Sequence, residues 1–204
     1  MSIVVLISGR GSNLQALLDA GLPVSAVISN RADAKGLAIA ASRGVATRVV
    51  EHRGFPGREA FEAALAQEIE GFAPRLVALA GFMRVLTPGF VARYAGRLLN
   101  IHPSLLPAFP GLDTHARALA AGVKTHGCTV HFVTAEVDHG PIVIQAEVPV
   151  RKDDSPETLA ARVLRQEHII YPRAVRWFLD DKLVIHDGRV RVKGNDAQLL
   201  TCSE

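Results

Sequence analysis

The sequence is poor in cysteine, in aromatic residues and in long apolar runs. Its 204 residues include only two cysteines, Cys128 and Cys202, which excludes a disulfide-stabilised scaffold. Aromatic residues make up 5% of the chain and are not interleaved with basic ones, so a surface that stacks nucleic-acid bases is not expected. No apolar stretch approaches the roughly 20 residues that span a bilayer. The opening MSIVVLISGRGSN lacks the basic leader and long apolar region of a signal peptide, and we therefore expect a cytoplasmic protein with no membrane contact.

The balance of charge is mildly positive. Lysine and arginine number 23 against 20 acidic residues, which gives a formal net charge of +3. This excess suits a phosphorylated ligand but falls short of a nucleic-acid-binding protein. A chain of this length should bury roughly 70% of its unfolded surface. Because no repeat, linker or low-complexity segment divides the sequence, we expect one domain over residues 1–204, with a loose tail from about residue 194.

Short apolar segments alternate with segments of helical period in the first half of the chain. Strands are predicted at residues 3–7, 24–29, 46–50, 76–79 and 98–101. Helices are predicted between them at residues 12–20, 34–43 and 58–70, each ending near a glycine. This alternation predicts an α/β fold, a Rossmann-like open sheet that is mostly parallel, with helices on both faces.

The pattern changes after residue 98. The segment LLNIHPSLLPAFPGLD contains three prolines and predicts a long ordered loop, followed by a short helix near residues 114–121. Strands at residues 128–134 and 142–150, joined by AEVDHGP, predict an adjacent pair and so antiparallel strands in the C-terminal half. A helix is predicted to begin at Ser155 and to be kinked or divided by Pro172. Asp187-Gly188 predicts a hairpin.

A glycine-rich turn joins the first predicted strand to the first predicted helix. In Gly9-Arg10-Gly11-Ser12-Asn13, backbone N–H groups and the positive end of the helix dipole suit a phosphate group. A dinucleotide fingerprint would need a small residue in place of Leu14 and an acid after the second strand, where the sequence reads Ser29-Asn30-Arg31. A small phosphate monoester therefore fits better than NAD, and a turn that the glycines merely permit is the plainer alternative.

Asn100 and His102 lie two residues apart at the end of the fifth predicted strand, so their side chains point to the same side. Ligands bind at this end of the strands in an open α/β sheet. Pro103 restricts the backbone of His102 to extended conformations. Asp138, between two later strands, would favour the charged imidazolium if it lay beside His102. An ordinary acidic turn residue is the alternative for Asp138.

A metal site is the competing chemistry, because five potential ligands cluster in the sequence: His126, Cys128, His131, Asp138 and His139. On a strand, His126 and Cys128 face one side and His131 faces the other, and no paired motif supports zinc. We therefore expect no metal. Cys128 has neither a helix N-terminus nor an obvious base beside it, which favours packing over a nucleophilic role.

Four motifs occur in a fixed order: SGRGSNL at residues 8–14, AGFMR at 80–84, NIHPSLLP at 100–107 and VDHGP at 137–141. Together with Gln166-Glu167-His168 and Trp177-Phe178, this set closely resembles the phosphoribosylglycinamide formyltransferase family, the folate-dependent transformylases of purine biosynthesis. The resemblance covers almost the whole chain. It implies transfer of the formyl group of 10-formyltetrahydrofolate, as co-substrate, to the amine of 5-phosphoribosylglycinamide (GAR) in IMP biosynthesis.

The resemblance also implies roles for individual residues. The catalytic residues would be Asn100, His102 and Asp138, with Asp138 keeping His102 charged and helping to move the proton. The GAR-binding residues would be Gly11, Ser12, Asn13 and Glu167. The folate-binding residues would be Arg58, Met83, Arg84, Val85, Leu86, Asn100, Thr134, Ala135, Glu136, Val137 and Asp138, with Met83, Val85 and Leu86 forming an apolar wall. The expected partners are these small molecules alone, bound by a monomer or homodimer.

Three rival functions remain. A formyltetrahydrofolate hydrolase shares the N-x-H and D-x-G-P core, but it uses water and would leave the phosphate loop without a purpose. Methionyl-tRNA formyltransferase needs an additional tRNA-binding domain, for which 204 residues leave no room. A Rossmann-type nucleotide-binding regulator would explain the glycine turn but not the three polar residues.

Overall fold

The computed structural model describes residues 2–202. The backbone divides into two compact units, the first ending at Asn100 and the second beginning at Ile101. The expectation of one domain over residues 1–204 stays a prediction.

The first unit alternates strands and helices as the apolar pattern predicts. Its elements are β1 (Ile3–Ile7), α1 (Ser12–Asp19), β2 (Val24–Ser29), α2 (Lys35–Ser42), β3 (Ala46–Val49), a short 3₁₀ helix (His52–Gly54), α3 (Arg58–Glu70), β4 (Leu76–Leu79), α4 (Pro88–Arg93) and β5 (Leu98–His102), whose last two residues belong to the second unit. The 3₁₀ helix and α4 were not predicted, because both are too short to show a helical period.

The strands of the first unit form a parallel sheet in the order β5-β4-β1-β2-β3. Every residue of β1 and of β4 is buried, which explains their unbroken apolar runs. From β1 the chain adds β2 and β3 on one side, and from β4 it adds β5 on the other. The direction in which successive strands are added therefore reverses between β1 and β4. The carboxyl ends of these two strands are therefore the expected place for a ligand.

The second unit is built on antiparallel strands and one long helix. Its elements are α5 (Thr114–Ala120), β6 (Thr125–Phe132), β7 (Ile142–Pro149), α6 (Pro156–Leu179), β8 (Leu183–His186), β9 (Arg189–Val192) and β10 (Leu199–Thr201). β6 and β7 are antiparallel, β10 adds to β7 in parallel, and β8 with β9 forms the hairpin predicted from Asp187-Gly188. The prediction of a mostly parallel Rossmann-like sheet with antiparallel strands in the C-terminal half is confirmed.

Three local predictions for this unit need correction. Pro172 does not divide α6, which runs unbroken from Pro156 to Leu179. The proline removes one backbone N–H, and burial of its neighbours, including Tyr171 and Val175, offsets that loss. The tail from residue 194 is not wholly loose, because Leu199–Thr201 pairs with β7. β6 begins three residues earlier than predicted and ends at Phe132, so Thr134 lies in a loop.

None of the helices in residues 2–202 combines the length and the apolar character needed to cross a membrane.

Candidate active site

The turn between β1 and α1 requires glycine. Gly11 has a φ of 80° and precedes α1, which begins without a side-chain cap. A Cβ on Gly11 would lie 2.6 Å from Cα of Gly36, and the Gly36 amide donates to the carbonyl of Gly9 at 3.0 Å. No side chain of Gly11 therefore covers the N-terminal end of α1, where the helix dipole is positive. Anion-binding sites at helix N-termini have the same open arrangement. Ser12 and Asn13, also predicted to bind GAR, are the first two residues of this helix.

Ser8 connects the carboxyl ends of three neighbouring strands. Its amide donates to the carbonyl of Gly81 at 3.1 Å, after β4. Its hydroxyl donates to Oδ1 of Asn30 at 2.6 Å, after β2, and accepts from the amide of Met83 at 2.8 Å. These bonds fix the backbone of the predicted folate segment at the point where the strand order reverses.

The segment from Met83 to Leu86 exposes apolar side chains. Met83 is 63% exposed and Val85 is 53% exposed, whereas Leu86 is buried and Arg84 is half-buried. The segment ends at Thr87, whose amide donates to Oε1 of buried Glu62 at 2.8 Å. Two exposed apolar side chains on a segment held at both ends fit the flat face of a heterocyclic ring such as a pterin. Arg58, the other predicted folate residue of this unit, is exposed at the start of α3.

β5 places two of the predicted catalytic residues. Asn100 pairs with Leu79 of β4 in the ladder and is half-buried, while His102 is 6% exposed. Side chains two residues apart on a strand share a face. An amide and an imidazole thus leave the same side of β5 at its carboxyl end.

His102 and Asp138 lie side by side in the second unit, as the family resemblance implied. Nδ1 of His102 lies 3.5 Å from Oδ2 of Asp138, and both side chains are less than a tenth exposed. The same carboxylate oxygen accepts from the amide of Gly111 at 2.8 Å, and Oδ1 lies 3.7 Å from Nε2 of His131. The opposite nitrogen of the ring, Nε2 of His102, donates to the carbonyl of Phe109 at 3.1 Å. A positive charge on His102 is therefore compensated by a buried carboxylate.

The proline-rich loop after His102 is ordered by side-chain hydrogen bonds. Ser104 Oγ donates to the carbonyl of Ala108 at 2.6 Å, and Thr114 Oγ1 donates to the carbonyl of Pro103 at 2.7 Å. Thr129 Oγ1 donates to the carbonyl of Ser104 at 2.7 Å and accepts from the Leu106 amide. The loop also contains a cis peptide before Pro107. Side-chain hydroxyl groups thus make the hydrogen bonds to this irregular backbone that a neighbouring strand would make in a sheet.

The loop that presents Asp138 depends on a close backbone contact. A Cβ on Gly140 would lie 1.7 Å from the carbonyl oxygen of Phe132, and the Phe132 amide donates to the carbonyl of Pro141. Asp138 itself has a φ of 59°, a conformation that Asp and Asn tolerate better than most residues. Of the other folate residues predicted here, Thr134 is half-buried, and Ala135, Glu136 and Val137 are exposed.

Several histidines around His102 are held neutral by burial. Burial lowers the pKa of His126 to about 4, and it also lowers the pKa values of His115 and His131. The rings of His115 and His126 meet edge to face at 5.2 Å between centroids. Within residues 2–202, no three His, Cys, Asp or Glu side chains are placed to share one metal ion.

Glu167 and Cys128 are both buried in the second unit. Glu167 lies on α6 and is 7% exposed. Burial, with the negative charge of Glu167 as a second cause, raises the pKa of Cys128 well above its usual range. A thiol in that state is a poor nucleophile, which agrees with the packing role expected for Cys128.

Two contacts of the site were missed by reasoning from the sequence. They are the Phe109 carbonyl on His102 and the Gly111 amide on Asp138. Both come from the backbone, and the backbone direction of a loop leaves little trace in residue types. The only signal was the glycine of AFPGL at residues 108–112, where Gly111 has a φ of 80°.

Comparison with known proteins identifies close relatives. The model of the formyl transferase family matches residues 1–175. A phosphoribosylglycinamide formyltransferase of Escherichia coli (strain K12) is 52% identical over 200 residues, which cover 95% of this chain and 94% of that protein. The solved structure of phosphoribosylglycinamide formyltransferase from Coxiella burnetii, in complex with CHES, matches with a TM-score of 0.92 at 46% identity over 98% of both chains.

A formyltetrahydrofolate deformylase from Pseudomonas syringae is a more distant match. Its structure gives a TM-score of 0.87 at 29% identity, covering 94% of this chain and 65% of that one.

Proposed function

The chain belongs to the formyl transferase family, and on that premise we propose that it transfers the formyl group of 10-formyltetrahydrofolate to the amine of GAR. The products are N-formyl-GAR and tetrahydrofolate, in the synthesis of IMP. The family resemblance inferred from the four motifs is confirmed by the match of residues 1–175 and by the 52% identity to the E. coli enzyme.

The observation that supports this activity most strongly is the buried pair of His102 and Asp138. Its Nδ1–Oδ2 distance is 3.5 Å, and Asn100 lies two residues earlier on the same strand. A charged imidazole and a neutral amide on one face of a strand are suited to a negatively charged oxygen.

The chemistry follows from these groups. Attack of a neutral amine on a formyl carbon produces a tetrahedral centre with a developing oxyanion. Asn100 would donate to this oxygen and the positive charge of His102 would stabilise it, and loss of one oxyanion donor costs about 10²- to 10³-fold in rate in other enzymes. Asp138 would stabilise the charge on His102 and help move the proton from the attacking nitrogen to the departing nitrogen of the folate.

The substrates would be held by the remaining predicted residues. The phosphate of GAR would bind at Gly11, Ser12 and Asn13, where α1 begins, and Glu167 would contact its ribose end. 10-formyltetrahydrofolate supplies the formyl group, and Met83 and Val85 offer exposed apolar surface for its ring. Arg58, Arg84 and Leu86 and the loop from Thr134 to Asp138 complete the proposed folate contacts.

The hydrolase is the second candidate function. The deformylase from P. syringae has the same fold at 29% identity, but this chain spans only 65% of its length. Hydrolysis has no use for a phosphate-binding turn, and this turn is built by the tight contact of Gly11 with Gly36. Transfer to a phosphorylated amine therefore explains a feature of the structure that hydrolysis leaves without a purpose.

We further propose that the protein acts in the cytoplasm as a monomer or homodimer, without metal, on small-molecule partners alone.

Identification of the product tests this function. Purified protein is incubated with GAR and 10-formyltetrahydrofolate that carries carbon-13 in the formyl group, and the products are separated by mass spectrometry. We expect the label in N-formyl-GAR. Label found in free formate, with GAR unchanged, would favour the hydrolase and contradict the proposal.

A further inference from the structure

The backbone of Phe109 has an unusual conformation beside His102. Its φ of 53° lies in the left-handed region, which disfavours a non-glycine residue with a bulky side chain. The aromatic ring is held on two sides. The ring of His126 meets it edge-on at 5.8 Å between centroids, and the guanidinium carbon of Arg117 lies 5.7 Å from its centroid. These contacts stabilise a backbone conformation that the residue would otherwise avoid.

Four carbonyl groups at and beside Phe109 accept hydrogen bonds from side chains of the second unit. The carbonyl of Ala108 accepts from Ser104 Oγ at 2.6 Å. Those of Pro110 and Leu112 accept from Nη1 of Arg117 at 2.5 and 3.3 Å. The carbonyl between them, that of Phe109, accepts from His102 at 3.1 Å. The direction of the Phe109 carbonyl is therefore fixed from both sides along the chain.

This carbonyl decides which nitrogen of His102 can exchange a proton. A carbonyl oxygen only accepts hydrogen bonds, so Nε2 must keep its proton in both charge states of the ring. The other nitrogen, Nδ1, faces Asp138 at 3.5 Å. The ring therefore gains and loses a proton only at Nδ1, the nitrogen that faces the carboxylate of Asp138.

We propose that Phe109 is a positioning residue for His102, which acts through its left-handed backbone and holds the imidazole in the Nε2–H form. This inference rests on the proposed function for its effect on catalysis, whereas the state of the imidazole itself does not depend on which substrate is used. Arg117 and His126 support the same loop conformation by holding the ring of Phe109.

A pair of variants separates backbone conformation from loss of the ring. Phe109→Asn and Phe109→Val both remove the aromatic contacts, but Asn tolerates the left-handed conformation and β-branched Val does not. We expect Phe109→Val to lower kcat on the order of tenfold, because His102 is displaced. Phe109→Asn should stay close to the Phe enzyme in kcat. Equal kcat values for the two variants would overturn the proposal.

The state of the ring is measured directly by NMR. Long-range proton–nitrogen spectra of protein labelled with nitrogen-15 histidine distinguish Nε2–H from Nδ1–H imidazole, and His102→Ala identifies the His102 signals by their loss. We expect a protonated Nε2 in the unmodified protein and in Phe109→Asn, in the charged and in the neutral ring alike, and a share of neutral Nδ1–H imidazole in Phe109→Val. The pH dependence of these signals also reflects the charged and titratable groups near the ring. These groups are Asp138, His131, His115, His126 and Arg117.

A second substitution tests the proposal if Phe109→Val fails to fold. Arg117→Met removes the guanidinium from the Phe109 ring and from the carbonyls of Pro110 and Leu112, and Arg189→Met on the exposed hairpin strand is its control. Arg117→Met should populate the Nδ1–H form, and Arg189→Met should not. Unchanged His102 spectra in Arg117→Met, or a neutral His102 ring with its proton on Nδ1 in the unmodified protein, would overturn the proposal. These spectra need no substrate. They therefore test the state of His102 independently of whether the protein has the proposed transferase activity.

Discussion

Asp138 combines three roles at a single residue. It adopts a left-handed conformation, accepts from the Gly111 amide and lies within ion-pair distance of His102. Removal of its charge alone is possible, because Asn also tolerates this conformation and its carbonyl oxygen can still accept from Gly111. Asp138→Asn is therefore a cleaner test of charge than any truncation.

We expect Asp138→Asn to lower kcat at least about a hundredfold with folding intact, and His102→Ala to do the same. The control is Asp187→Asn, since Asp187 also has a positive φ, of 49°, but is exposed in the hairpin turn. Steady-state kinetics and circular dichroism of the three variants give the result. Near-normal turnover in Asp138→Asn would remove the basis for the proposed mechanism.

Gly11 is constrained both by its φ of 80° and by the 2.6 Å approach to Gly36. Gly11→Ala should therefore destabilise the protein by about 1–3 kcal/mol and raise the KM for GAR more than that for the folate. Gly9→Ala is the control for stability, because a Cβ there meets nothing within 4 Å. Urea unfolding and substrate titrations measure both effects. The same unfolding midpoint for the two variants would contradict the assigned packing.

At the scale of elements, the start of α6 is secured by a carboxylate with four donors. Asp154 accepts from both Nη atoms of Arg162 at 2.6 and 2.8 Å, from the Arg151 amide and from Thr158 Oγ1. Its side chain is 3% exposed. The hydrogen bond from Arg162 is the main reason that the pKa of Asp154 lies well below its usual range.

Asp154→Asn should cost about 1.5–3 kcal/mol of stability at neutral pH. Because folding lowers the pKa of Asp154, this stabilisation is complete above a pH of about 4 and is lost as the pH falls further. Urea unfolding at pH 7 and at pH 3 checks both statements. The control is Asp33→Asn in the exposed pair with Arg31, where we expect no measurable change. A difference between Asp154→Asn and the unmodified protein that grows at pH 3 would refute the assignment.

The elements that the sequence predicted well are those with strong local patterns. β1 and β4 appear as unbroken apolar runs because both faces are covered, and Ser155-Pro156 predicted the start of α6, where Ser155 and Thr158 form a capping box. Pro172 and β10 could not be predicted in this way. A proline inside a helix and a strand of three residues are stabilised by tertiary packing, which a local pattern does not contain.

At the scale of the whole molecule, the candidate site was predictable as a set of residues but not as a geometry. Asn100 and His102 are linked by strand periodicity alone. Asp138 lies far along the chain, so its contact with His102 followed only from the family resemblance and was then found in the structure at 3.5 Å. The roles of Phe109 and Gly111 depend on backbone directions, which side-chain types do not specify.

The second unit buries several histidines that are harder to protonate in the native state than in the unfolded chain. Burial lowers the pKa values of His115, His126, His131 and His168, that of His126 to about 4. Below a pH of about 6.5 the unfolded chain therefore binds protons that the native protein does not, and each such group removes up to about 1.4 kcal/mol of stability per pH unit.

We expect the free energy of unfolding to fall as the pH is lowered from 7 towards 4, and His126→Phe to reduce that slope. Urea titrations at several pH values measure it. A free energy of unfolding that stays constant over this range would show that these side chains are not buried as neutral groups.

Transfer of the formyl group to GAR rather than to water distinguishes the proposed enzyme from a hydrolase. The most direct measurement is the initial rate of 10-formyltetrahydrofolate consumption, followed by absorbance, with and without GAR. We expect consumption only when GAR is present. Equal rates in the two reactions would identify a hydrolase and would contradict the role assigned to the phosphate-binding turn.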